Sequence, residues 1–238
     1  MKGAFLEDLA WDEAAAAIRE GRVVLLPVGA AAKEHGLHLP MDTDRRTARE
    51  LARRVAQELP VLVAPVVDFG YYPAFVDYPG SQHLRAETFV ALMRDLLEGF
   101  IRQGARRLAI LNTGVSTEGP IRLAMREVEE RTGIRVVCAD LRNLGVAARG
   151  VLERPDGGHA DEAETSVMLA LAPETVRLER ARPEAEEPAA GVFHGPAKLA
   201  TASGATGDPT RATAAKGEAL LAAMARDLVD GLRAAFPD

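Results

Sequence analysis

The sequence predicts an α/β fold: a parallel sheet with helices on both faces. Three observations carry this. Four short β-rich runs recur along the chain, each is apolar almost without a break, and helical periodicity fills the intervals between them. A strand open to water on one side alternates apolar and polar residues. These runs do not alternate, so both of their faces are covered.

The strands are "RVVLLPVG" (22–29), "VLVAPVV" (61–67), "RLAILN" (107–112) and "IRVVCAD" (134–140). "TARELARRVAQEL" after the first strand and "AETFVALMRDLLEGFIRQG" after the second repeat apolar residues at helical spacing, and the latter ends in a Gly suited to a helix C-terminus. A third helix is expected from about Gly119 to Arg131. "DEAETSVMLALAP" reads as a short helix starting near Ala160 and stopped by Pro173, and "PTRATAAKGEALLAAMARDLVDGLRAAF" as a long closing helix. Residues 181–208 between them are loop-rich, with room for a hairpin. No repeat or linker interrupts residues 1–238, and one domain is expected.

Composition excludes several classes. The longest apolar runs are strand-length, so no membrane span is expected. The opening "MKGAFLEDLAWDEAAAAIREG" carries acids where a secretory signal needs a basic region and an apolar run, which points to the cytoplasm. Cys138 is the single cysteine, in keeping with a reducing compartment. A net charge of −6, with arginines scattered among acids as in "RLERARPEAEEP", leaves no basic stripe for nucleic acid.

The polar motifs follow the strands. "GAAAKEHGLHLPMDTD" (29–44), "DFGYYPAF", "NTGVST" (112–117) and "DLRN" stand at the carboxyl ends, the edge where open α/β sheets build their sites. The first of these packs Glu34, His35, His38, Asp42 and Asp44 into eleven residues. Carboxylates and imidazoles are the ligands that zinc, iron and other divalent ions take. Gly36 and the small alanines before it let the chain leave β geometry, so neighbouring side chains can share one ion. Alternatively, Asp42, Thr43 or Asp44 caps a helix beginning near Arg45.

"LPVGAAAKEHGLHLPMDTD" resembles the first signature of the creatininase (creatinine amidohydrolase) family. "YPGSQHLRAETF", "RQGARRLAILN", "GGHADEAETSVMLALAP" and "GATGDPTRATAAKGEALL" resemble further family segments in the same order, over roughly residues 20 to 220. The resemblance implies a three-layer α/β/α sandwich with a mostly parallel sheet, commonly assembled as a hexamer. It implies a homo-oligomeric hydrolase of amide-type C–N bonds in small cyclic or formamide substrates, dependent on one or two divalent ions of zinc, manganese or iron. His35 and Asp44 then match metal ligands, with Asp44 the candidate bridge between two ions, and His159 matches a catalytic histidine. Glu164 matches the acid of the "ETS" motif.

The chain departs from the family twice. The ligand glutamate expected two residues before His35 is Lys33, and one extra residue follows Gly29. Either Glu34 moves into the ligand's place, or Lys33 fills it and one metal is lost. In "NTGVST", Gly114 stands where the family has a ligand histidine. One well-occupied metal, or a site rebuilt with other ligands, is the expectation.

On the residues alone, Glu164 sits at helical spacing from Val167, Met168 and Leu171, where an ionised carboxylate needs a partner or a metal. His159 is either an exposed residue after two glycines or a general acid–base. The expected set is therefore Glu34, His35, Asp44 and Glu164 on metal, with His159 passing a proton to the leaving nitrogen. Lys33, Tyr72, Asn112 and Ser116 are candidate substrate contacts. His83 reads as a pocket or surface residue, His194 as structural or exposed, and Asp208 or Thr210 as the cap of the last helix. A second reading is a decayed binding or assembly protein on the same fold.

Overall fold

Five strands, β1 (Ala4–Phe5), β2 (Val24–Val28), β3 (Leu62–Val63), β4 (Leu108–Asn112) and β5 (Val136–Asp140), pair in parallel in the order β1-β3-β2-β4-β5. They belong to a computed structural model that describes residues 2–155, 158–184 and 201–237. The helices are α1 (Trp11–Arg19), α2 (Thr43–Glu58), α3 (Ala86–Arg102), α4 (Glu118–Thr132), α5 (Glu162–Leu171) and α6 (Ala214–Ala235).

Side chains alternate across the buried strands as β geometry requires. Val24, Leu26, Val28, Leu108 and Ile110 face a core made with α1, α3 and α4. Leu25, Ala109 and Leu111 face the opposite core, made with α2, α5 and α6. The result is the expected three-layer α/β/α sandwich. Among the described residues, no helix is long and apolar enough to cross a membrane.

Several boundaries differ from the sequence reading. β1 and α1 were not expected, because two residues of strand and an alanine-rich turn give little periodicity. The second run narrows to two residues at Pro65, which has no N–H to give, and pairing resumes at Val67 against Val28. Neither Asp208 nor Thr210 caps α6. Asp208 accepts from Thr210 N in a short turn, and Thr213 caps α6 by accepting from Lys216 N. Residues 185–200, with His194, lie outside the described residues; Glu184, just before them, bridges Gly207 in antiparallel fashion.

Connections leave β2 toward β3 and leave β4 toward β5 in opposite directions. The loops after β2 and β4 therefore flank the crevice where such sheets bind ligands.

Candidate metal centre

The loop after β2 starts at Gly29. A Cβ there would stand 2.5 Å from the Asp44 carbonyl oxygen and 3.0 Å from Ala48 Cβ, so only glycine lets the first turn of α2 press on the strand end. That approach returns Asp44 to the loop it follows. Its Oδ1 lies 2.9 Å from His35 Nε2 and its Oδ2 2.7 Å from Lys33 Nζ, all three side chains being buried. The Lys33 contact is an ion pair without hydrogen-bond alignment. Burial acts to raise the Asp44 pKa, but the charges of Lys33 and His35 outweigh it and hold the carboxyl well below the usual range. Asp44 is an anion.

His35 Nδ1 lies 2.9 Å from the Lys33 carbonyl oxygen, which can only accept, so Nδ1 carries a proton. In a neutral ring the Nε2 lone pair then faces the ionised Asp44. Two acceptors 2.9 Å apart require a proton or a metal cation between them.

His159 repeats the pattern. Its Nε2 lies 2.9 Å from the Glu34 carbonyl oxygen and 3.1 Å from Glu34 Oε2, so Nε2 donates and the lone pair falls to Nδ1, 3.8 Å from Glu164 Oε2. Metal-binding histidines usually give their other N–H to a carbonyl or carboxylate in this way. Glu164 is fixed by the Ala160 N–H at 2.7 Å. Ala160 holds a positive φ of 50°, a strained conformation of the kind that persists where surroundings impose it. The Asp161 side chain caps α5 by accepting from Glu164 N at 2.9 Å.

His35, His159 and Glu164 each bring a ligand atom within 4.8 Å of the others. Donors around one tetrahedral ion stand about 3.4 Å apart, so small rotations close this set on a cation. The residues fit one divalent ion.

Beside them a cavity of about 550 Å³ is lined by Asp44, Asp161 and Glu164 on one side and by Leu152, Val167, Leu220 and Met224 on another. Burial, then the charge of Glu164, pushes the Asp161 carboxyl up to about 7. Nothing in the sequence marks Asp161 as more than a residue at a helix start. The signal for its position was the D-x-x-E spacing to Glu164, a helix-start pattern. His38 lies outside this set. It is paired at 2.8 Å with Thr165 Oγ1, and burial lowers its pKa to about 4 against the raising charges of Glu164 and Glu34, so it stays neutral.

The expected residues divide. His35, His159 and Glu164 lie together, with His159 Nε2 serving Glu34 and its Nδ1 facing Glu164. Glu34 is turned out of the convergent set: one carboxylate oxygen meets the Gly36 N–H and the other meets His159. Asp44 braces His35 and Lys33. Lys33 faces Asp44, under the rings of Phe75 at 4.9 Å and Tyr72 at 5.5 Å. Asn112 is withdrawn from substrate contact, since its amide gives to Gly114 O and Asp140 Oδ1 and accepts from Gly114 N and Thr117 Oγ1. From the same loop the cavity takes Thr113 and Val115, not Ser116. Tyr72 is buried behind Lys33, and His83 accepts from Tyr72 N at 2.9 Å, a structural role.

Comparison with known proteins places this geometry. The family profile described as creatinine amidohydrolase matches residues 7–232. The chain belongs to the creatininase family. It is 32% identical to the creatinine amidohydrolase of Pseudomonas putida over 99% of this chain and 98% of that one. It is 31% identical to a mycofactocin precursor peptide peptidase of Mycobacterium tuberculosis, covering 87% of this chain and 82% of the relative. Among solved structures, a creatininase variant of Zn-Zn type superposes with a TM-score of 0.89 at 28% identity, over 100% of both chains. Creatininase-family relatives are named as hydrolases, and the α/β fold is shared throughout.

Proposed function

We propose that this chain, acting as one domain, hydrolyses an amide-type C–N bond of a small molecule with the help of a divalent cation of zinc, manganese or iron. The observation that carries the reading is the matched pair of histidines. Each has one ring nitrogen committed to a carbonyl oxygen and turns the other to a carboxylate, His35 Nε2 to Asp44 and His159 Nδ1 to Glu164. When bound, the cation supplies Lewis acidity toward a carbonyl and lowers the pKa of a water.

The chain's own residues do the rest. His35, His159 and Glu164 would hold the ion, Glu34 and the Lys33 carbonyl fix the two ring tautomers, and the Asp44 carboxylate beside His35 Nε2 adds negative charge that favours a cation there. The apolar wall of the adjoining cavity receives the body of a small substrate and keeps water from it. Lys33 keeps a buried positive charge at the base of the site, where it favours negative charge developing on a substrate oxygen. A homo-oligomer, commonly a hexamer in the family, and a cytoplasmic location complete the proposal.

The test is an assay of untagged protein, reloaded with zinc, manganese or iron(II), against cyclic amides, formamides and short peptides, beside His35→Ala and His159→Ala. Turnover of a small amide, lost together with metal in both variants, is the expected result. A His159 variant that keeps its metal and loses turnover returns His159 to proton transfer. Cleavage of peptides alone overturns the substrate class. Absence of metal from the native protein, unchanged by His35→Ala, overturns the metal reading and leaves a binding or assembly protein.

A further inference from the structure

We infer that Lys33 is a built-in cation: its ammonium fills the position beside Asp44 that a second divalent ion would need, so the centre admits one metal ion and not two. This goes beyond the one-ion cradle proposed above and does not depend on it.

The first support is the pair itself. Lys33 Nζ stands 2.7 Å from Asp44 Oδ2 with the two side chains 7% and 3% exposed. Coulomb attraction at that distance, away from water, is strong, and separating the charges leaves each of them buried and unpaired. A divalent ion approaching Oδ2 would meet an ammonium already on that oxygen and be repelled by it. Nor does the lysine have an easy retreat. Its backbone N–H is held by Met41 O at 3.0 Å, its carbonyl is held by His35, and the rings of Phe75 and Tyr72 lie over its ammonium.

The second support is the lack of ligands around Oδ2. Glu34 is turned to the Gly36 N–H and His159. Across the crevice, Thr113 Oγ1 is bonded to Val28 O at 2.9 Å and to Asp44 O at 3.3 Å, and the Asn112 amide is saturated. Gly114 offers no side chain, and a Cβ there would meet Thr117 Oγ1 at 2.8 Å and Tyr72 Cε1 at 3.3 Å. Tyr72 and Thr117 thus fill the corner from which another ligand would reach. Among the described residues, one group of metal-binding side chains converges, His35, His159 and Glu164, and Asp44 Oδ2 is not part of it. A Zn-Zn centre like that of the solved relative does not fit these residues.

The inference is tested on the full chain by loading with excess Zn²⁺, desalting and measuring zinc per chain by mass spectrometry, with calorimetric titration alongside. The native protein should take up no more than one zinc and show at most one binding event. Lys33→Glu, which turns the cation into a ligand, should gain one zinc over the native protein, and Lys33→Arg should gain none. Two zinc ions in the native protein overturn the inference. So does a Lys33→Glu protein that melts cooperatively and gains no zinc. Should that variant fail to fold, Lys33→Gln removes the charge with a neutral oxygen donor; added zinc uptake supports the inference and its absence overturns it. The cradle reading fails separately: a native protein with no zinc defeats it, while an ion gained by Lys33→Glu still supports the role of Lys33.

Discussion

Glu34 and His159, 125 residues apart in the chain, meet through one nitrogen: His159 Nε2 lies 2.9 Å from the Glu34 carbonyl oxygen and 3.1 Å from its carboxylate Oε2. Both atoms accept, so Nε2 must donate and the ring presents Nδ1 to the site. The glutamate is itself held. Gly36 N–H meets Oε1, and Gly204, with φ of +80°, lies so close that a Cβ there would collide with the same oxygen. The β2 loop thus sets the tautomer of a histidine that belongs to the approach to α5.

Replacing that brace should loosen the site without dismantling the fold. Glu34→Ala removes one of two acceptors on His159 Nε2, and loss of such a partner typically lowers metal affinity about 10–100-fold. Competition against a chromogenic chelator reads this directly. Affinity equal to the native protein's would show that the carbonyl alone fixes the ring.

Asp44→Asn should be costly for a different reason. It leaves the Lys33 ammonium buried with no anion, and removing one partner of a buried pair costs about 3–5 kcal/mol. Denaturant unfolding at neutral pH gives the number. The double variant Asp44→Asn, Lys33→Met removes both charges and should recover much of the loss; a double variant no more stable than the single one would refute the pairing account.

The sheet, the two-sided helices and the loop that carries the site were legible because their signals are local. Unbroken apolar runs mark buried strands, and motifs at their carboxyl ends mark the crevice. The roles within the site were not local. Whether Glu34 or Lys33 takes the place beside Asp44 depends on how a one-residue insertion between Gly29 and His35 is absorbed, which no spacing rule fixes. The approach of His159 to His35 and Glu164 goes with a contact to Glu34, 125 residues away in the chain. Asn112 read as a candidate contact because a polar residue at a strand end invites one; its four internal hydrogen bonds come from the turn that follows.

Glu162 gives a pH dependence with a definite sign. Its buried carboxylate accepts from Lys216 Nζ at 2.6 Å and from the Glu153 and Arg154 N–H groups. Burial alone would raise its pKa, but these partners outweigh burial and lower it from the ordinary 4.5. A pKa lowered by folding adds stability above the unfolded value and loses it as pH falls through the folded one. Glu162→Gln should therefore cost about 1.5–3 kcal/mol at pH 7, as expected for hydrogen bonds to a charged group. The gap from the native protein should shrink in unfolding curves taken below about pH 4, where carboxylates protonate. A gap of constant size across that range would mean that packing, and not charge, sets the cost.

Gly217 controls how closely α6 approaches α5. A Cβ at that position would stand 1.9 Å from Ser166 O and 2.8 Å from Val167 N, so Gly217→Ala forces the helices apart. Overpacking of this kind costs about 1–3 kcal/mol. A helix normally gains from Gly→Ala, by about 1 kcal/mol, so the sign of the change separates tertiary contact from helix propensity. Because Glu164 rides on α5, the same shift moves it relative to His35 and His159. Thermal unfolding should fall, and zinc affinity should fall with it in the fraction that remains folded. A more stable Gly217→Ala protein would show that the two helices are free to separate and that their contact does not position the site.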